Sequence, residues 1–246
     1  MANRIAVLAC GILLLSSCSV REDRGACPCT LHIALRDIPG PVTVQLVLES
    51  GTITLQAARD TVFSLQVPRG QLRLLACCGA SPGADEALII PPGYDCPPVF
   101  MYSGWVNTDF EETKIEPRLR KHFCTLSLRM DGPSGGGEPY WTRVRGRAGG
   151  LDWDGTPVEG EFSCRLDAGM SVRLPRQQAG GELWLDIVTP GGTARSFALG
   201  NYMEEEGYDW MAQDLEDLSL TMQLSLTEII LGSSLWQENL HSYIEL

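Results

Sequence analysis

Apolar and polar residues alternate with period two in Leu31-His32-Ile33-Ala34-Leu35, across residues 42–48 (VTVQLVL) and across residues 62–67 (VFSLQV). This is the pattern of strands with one buried face. Turn chemistry separates them at Pro39-Gly40-Pro41, Ser50-Gly51 and Pro68-Arg69-Gly70, where proline fixes φ and glycine accepts φ > 0. Residues 72–77 are more continuously apolar and predict a central strand. A Gly- and Pro-rich excursion follows over 79–98, carrying one apolar island, Ala87-Leu88-Ile89-Ile90. A second series then opens, with alternation over 113–120 and 123–130 and a glycine-rich break at Gly132-Pro133-Ser134-Gly135-Gly136-Gly137. Further strand candidates are 141–147, 170–174, 183–188, 219–226 and 235–246. One stretch, 203–218, has helical spacing in Met203, Trp210, Met211, Leu215 and Leu218. Gly207 interrupts it, and Asn201 is the expected cap, with Glu204 three residues on. Short strands at regular spacing predict an all-β fold of antiparallel sandwiches or barrels. The fresh series after Arg118 divides the chain into 27–118 and 119–246.

Composition supports that picture and narrows the function. In 246 residues, 44% are hydrophobic and 20% charged, with 26 Gly and 15 Pro, a balance of turn-rich β proteins rather than helical bundles. The net charge is -12, from 19 basic and 31 acidic residues, which repels a nucleic-acid backbone. After Arg195 there is no Lys or Arg, and the acidic residues concentrate in Glu204, Glu205, Glu206, Asp209, Asp214, Glu216 and Asp217. Arg118, Arg120, Lys121, Arg143, Arg145 and Arg147 lie earlier in the same half. These charges either keep strand faces solvated or form a docking patch for a charged partner.

The amino terminus reads as an export signal. Arg4 precedes the apolar run 5–15, the length of a signal-peptide core and too short to span a bilayer. The run ends in Leu15-Ser16-Ser17-Cys18, which resembles the lipobox of bacterial lipoproteins. A signal peptide over 1–17 and lipidation at Cys18 are therefore expected. Residues 18–26, with Arg21, Glu22, Asp23 and Arg24, form a charged tether, and acidic residues there resemble the surface-export signal of Bacteroidales lipoproteins.

Candidate chemistry is sparse. The three histidines, His32, His122 and His241, are scattered. Beyond Cys10 and Cys18 there are seven cysteines: Cys27, Cys29, Cys77, Cys78, Cys96, Cys124 and Cys164. Cys27-Pro28-Cys29 beside Cys77-Cys78 could supply zinc ligands, but the spacing is not that of zinc ribbons. The expectation is buried thiols packed as small hydrophobes, with one or two disulfides. Asp152-Trp153-Asp154-Gly155 alternates carboxylates but lacks the later ligands of a calcium loop, so a turn is expected. No nucleophile elbow, phosphate loop or dinucleotide motif occurs. No catalytic, cofactor-binding or metal-binding residue is assigned, and no enzyme activity is expected. Trp105, Trp141, Trp153 and Trp184 are candidates for core packing or for stacking on sugars.

The lipobox, Arg21-Glu22-Asp23 and Cys27-Pro28-Cys29 leading into a strand resemble the start of the fimbrial anchor lipoproteins of Bacteroidales. Phe123-Cys124-Thr125-Leu126-Ser127-Leu128, Gly149-Gly150-Leu151-Asp152-Trp153-Asp154-Gly155 and a closing strand with Trp236 are looser points of likeness. The resemblance implies two transthyretin-like β-sandwich domains tethered by lipid at the outer membrane. It implies fimbrial subunits as partners, joined by strand addition, in which an extended segment completes another subunit's sheet. The chain is short for this family, so trimming of either sandwich is expected. The alternative is a surface lipoprotein that binds polysaccharide or a host protein through a β-sandwich.

Overall fold

The computed structural model describes residues 27–82, 87–131, 141–166, 170–180, 182–188, 194–224, 229–233 and 242–244. Cys18, His241, Trp236 and the glycine-rich break at 132–137 lie outside them.

The first half opens with β1 (Cys29–Leu35), β2 (Val42–Leu48), β3 (Gly51–Ala57), β4 (Thr61–Val67) and β5 (Gln71–Cys78). After β6 (Ala87–Ile89) come β7 (Phe100–Asn107), β8 (Glu112–Ile115) and β9 (Arg120–Lys121). Alternation dictates the layering. In β1, Cys29, Leu31, Ile33 and Leu35 are buried and the residues between them half-buried, so one face of the strand must be covered. A three-stranded sheet, β4-β1-β8, packs on a five-stranded one, β3-β2-β5-β7-β9. Leu31, Ile33, Val44, Leu46, Leu72 and Leu74 meet in the core between them.

The second half repeats this plan. Its strands are β10 (Phe123–Asp131), β11 (Trp141–Asp152), β12 (Pro157–Leu166), β13 (Ser171–Pro175), β14 (Leu183–Val188) and β15 (Ala194–Phe197). Helix α1 (Leu199–Glu205), β16 (Leu218–Leu224), β17 (Ile229–Ser233) and β18 (Ser242–Ile244) complete it. One sheet runs β13-β10-β16-β17-β18, the other β12-β11-β14-β15. Leu126, Phe162, Leu166, Leu174 and Leu185 are fully buried between them. Among the described residues each half carries seven strands in one order, with β1, β2, β3, β4, β5, β7 and β8 answering to β10 through β16, and β3, β7, β12 and β15 fill places that the periodicity alone does not mark.

Three features correct the sequence expectations. The sheets are not wholly antiparallel, because β8 pairs with β1 and β16 with β10 in parallel. The helix is not 203–218 but the seven residues of α1; its cap position is Ala198, without a side-chain cap bond, and Asn201 lies inside it. The chain turns out of it at Gly207, φ 84°. No disulfide forms among the described residues. Cys29 and Cys78 belong to the first core, Cys77 to a small cluster beside it, and Cys96, Cys124 and Cys164 to the second core.

The halves are interleaved near Arg118. The apolar island of the excursion is β6, which crosses to pair with β11, while β9, beyond Arg118, pairs back with β7. The crossing brings backbone against backbone: a Cβ on Gly150 would lie 2.3 Å from the Leu88 carbonyl oxygen. Cys77, Val99, Met101 and Leu151 form a small buried cluster at this junction, joined by Leu88 and Trp153.

Candidate interaction surfaces

The junction is held by charge as well as packing. Asp214 accepts bonds from Arg120 at 3.1 Å and from the Lys121 backbone N–H at 2.9 Å. Asp217 accepts from Lys121 Nζ at 2.7 Å and from the Thr125 N–H at 2.6 Å. Burial opposes ionisation of both carboxyls, and these donors outweigh it, so both pKa values lie below the ordinary value. Two of the seven clustered acidic residues are thus spent on Arg118, Arg120 and Lys121 rather than offered to a partner. Glu204, Glu205, Asp209 and Glu216 remain exposed.

Beneath that seam lies a guanidinium that sequence reasoning did not single out. Arg176 is 6% exposed and donates to the carbonyls of Trp210 at 2.5 Å, Ala212 at 2.8 Å and Gln213 at 3.3 Å. Its Nε reaches His122 Nδ1 at 3.2 Å. A buried cation needs such a set of acceptors. Burial and the Arg176 charge together push the His122 pKa down to about 4, so the ring is neutral and accepts at Nδ1. Gly155, φ 87°, closes the expected turn at 152–155, and a Cβ there would strike the imidazole at 2.0 Å. This assembly is a structural clamp.

Among the described residues no group of His, Cys, Asp or Glu is arranged to hold a metal ion. Cys27 is exposed while Cys29 is buried, with its thiol 3.5 Å from the Thr113 hydroxyl. Burial pushes Cys77, Cys96 and Cys164 up to about 12 and Cys124 up to about 11. Such thiols stay protonated and are poor nucleophiles and ligands. His32 is on β1 between Ser64 and Glu112, remote in the fold from His122.

The tryptophans divide. Trp153 packs in the junction cluster, and Trp105 is 71% exposed on β7. Trp141 lies under Arg165, and Trp184 lies under Arg145 at 5.2 Å. Arg143 and Arg145 both reach Asp186, at 2.8 and 3.0 Å. Burial would raise that carboxyl; the Ser196 hydroxyl and the two arginines hold it below its ordinary pKa. Arg145, Arg147, Glu182 and Trp184 line a shallow groove with Glu159 and Glu161.

What remains for interaction is the rim of the sheets. Among the described residues the outer edges of β3, β4 and β8 carry no ladder, since each pairs on one side only. In the second half the edge of β16, the counterpart of β8, is extended by β17 and β18.

No protein-family model matches this chain, and no curated protein matches it in sequence. Solved structures do. A candidate adhesin from Bacteroides ovatus superposes with a TM-score of 0.65 at 12% identity, over 87% of this chain and 97% of the other. A candidate polysaccharide-binding protein from Bacteroides thetaiotaomicron gives 0.62 at 13%, over 88% and 98%. The fimbrial anchor protein Mfa2 from Porphyromonas gingivalis gives 0.61 at 11%, over 88% and 100%. The likeness to a fimbrial anchor drawn from the sequence is therefore met in three dimensions: this chain has the fold of that anchor and of adhesin-like proteins of the Bacteroidales.

Proposed function

We propose that this chain is a fimbrial anchor or accessory subunit, held in the outer membrane by lipid on Cys18 and exposed at the cell surface. Residues 18–26 tether two transthyretin-like sandwich domains, divided near Arg118, and the fimbrial polymer is held through strand-addition contacts. The observation that carries this reading is a fold shared with a fimbrial anchor protein along the whole length of that protein's structure, together with the lipobox of this sequence. The site chemistry is in keeping with it: sheet edges are available, while the buried thiols and the His122–Arg176 clamp serve packing.

The test is to isolate fimbriae, separate them in mild detergent without boiling, and probe for this chain beside the polymer ladder. Co-migration with polymer is the expected result; migration only as free monomer in a fimbriated strain rejects the anchor reading. Cys18→Ala releases the protein from the membrane fraction, and retention there would reject the lipid anchor. A second reading, binding of polysaccharide, is favoured by the Arg145–Trp184 pair on an outward sheet face. It predicts glycan-array binding that is lost in Trp184→Ala.

A further inference from the structure

We infer that the side of the first sandwich between edge strands β3 and β4 receives an extended, uncharged segment of a partner polypeptide. The inference rests on the strand-addition reading above and adds where on this chain the partner's segment sits.

The second sandwich supplies the precedent. Its corresponding side, between β12 and β13, is closed by residues 90–96 of the excursion. Gly93 N–H donates to the Ser163 carbonyl on β12 at 2.6 Å, and Cys96 N–H to the Arg173 carbonyl on β13 at 2.9 Å. Arg173 Nε returns a bond to the Cys96 carbonyl at 2.7 Å. Ile90 and Cys96 enter the core, and Phe162, Cys164, Leu166, Val172 and Leu174 beneath are buried.

The first sandwich has the same strands in the same order and, among the described residues, no such cover. Among the described residues β3 pairs only with β2 and β4 only with β1. Ile53, Leu55, Phe63 and Leu65 face its core yet are only partly buried, whereas Leu31, Ile33, Val44 and Leu46 on the neighbouring strands are 0% exposed.

These two edges are also undefended. Natural sheets protect edges with charge, proline or shortness. β8 carries Glu112 and Lys114 in four residues, and β13 carries Arg173 and Pro175 in five. β3 (GTITLQA) and β4 (TVFSLQV) are seven residues each, with no charge and no proline. Free backbone donors and acceptors flanking an apolar strip fit an extended peptide that is apolar at alternate positions. Seven residues of it span about 23 Å. A charged segment would bury charge against Leu55 and Leu65. A second copy of this chain would bring a net charge of -12 against -12, which opposes self-association.

The experiment places a photo-crosslinking residue at exposed Thr54 or Gln66, and at exposed Glu161 as comparator, in the full lipidated chain in fimbriated cells. The expected result is a crosslink to a fimbrial subunit from 54 and 66 at least ten-fold above that from 161. Amide exchange of the unaltered chain, with and without purified fimbriae, should show at least ten-fold slowing over 51–57 and 61–67. Crosslinks to a second copy, to this chain's own residues 18–26, or unchanged exchange while the chain still co-fractionates with fimbriae, would overturn the docking assignment and leave the anchor reading standing. Failure of the unaltered chain to co-fractionate would overturn both.

Discussion

The two sandwiches share seven strands in one order and differ at their rims. In the first, β1 is flanked by β4 and β8; in the second, β10 is flanked by β13 and β16, with the same parallel and antiparallel senses. The second has its β12–β13 side covered by residues 90–96 and its β16 edge extended by two strands. Among the described residues the first has neither. The comparison teaches that one core layout can serve a closed body and an open one. The difference lies in what is laid along the edges, because those decide whether inward-facing side chains are fully removed from water.

The largest expected effect follows from that difference. Phe162→Ala empties a fully buried site beneath the cover and should cost about 3–5 kcal/mol, while Phe63→Ala, at the half-open rim, should cost about 1–2 kcal/mol. Equilibrium urea unfolding measures both, and equal losses would break the contrast. Next is the clamp. An unfolded histidine takes up a proton near pH 6.5, but folded His122 does so only near 4. Between those values the unfolded chain binds more protons. Stability therefore falls as pH drops from about 6.5 to about 4, by at most about 3 kcal/mol, and His122→Gln should flatten that slope in thermal melts taken across the range. Asp186, Asp214 and Asp217, with lowered pKa values, add a loss at lower pH, below the ordinary carboxylate value.

Gly150→Val drives a side chain into the Leu88 carbonyl and should cost about 1–3 kcal/mol. Because β6 leads directly into the cover, faster exchange at the Gly93 and Cys96 amides should accompany it. Unchanged exchange there would separate the cover from the β6 ladder. The smallest effect is Asp214→Ala: the carboxylate is partly exposed, so its loss should cost about 1 kcal/mol, diminishing with salt.

Much of this was legible in the sequence because one-sided burial writes itself as alternation. β1, β2, β4, β10 and β14 follow their apolar residues, and 72–77 falls inside β5, a middle strand. β7 was hidden for a physical reason: Met101 on one face packs into the junction cluster, Phe100 and Val106 on the other face the first core, and Trp105 is exposed, so apolar residues fall on both faces and the period is erased. β12, with Pro157, Gly160 and two glutamates, lacks a strand's composition. The helical spacing over 203–218 misled because Trp210, Leu215 and Leu218 are indeed buried, but in a non-helical run. The carbonyls of Trp210, Ala212 and Gln213 are turned toward Arg176 instead of to their own following amides. Nothing local marks Arg176, and nothing local marks the two parallel ladders, which depend on partners far along the chain.

A body fixed to a cell by its amino-terminal end is loaded in tension when whatever it holds is pulled. With the lipid anchor proposed above, that tension would enter at β1, the middle strand of its sheet, bonded along its length to β4 and over Thr30 to Ile33 to β8. Drawing β1 out along its axis means shearing two ladders together, since no bond can be peeled from an open end first. The central placement of β1 therefore sets two ladders against a pull along its axis, the direction in which the proposed tether would load it.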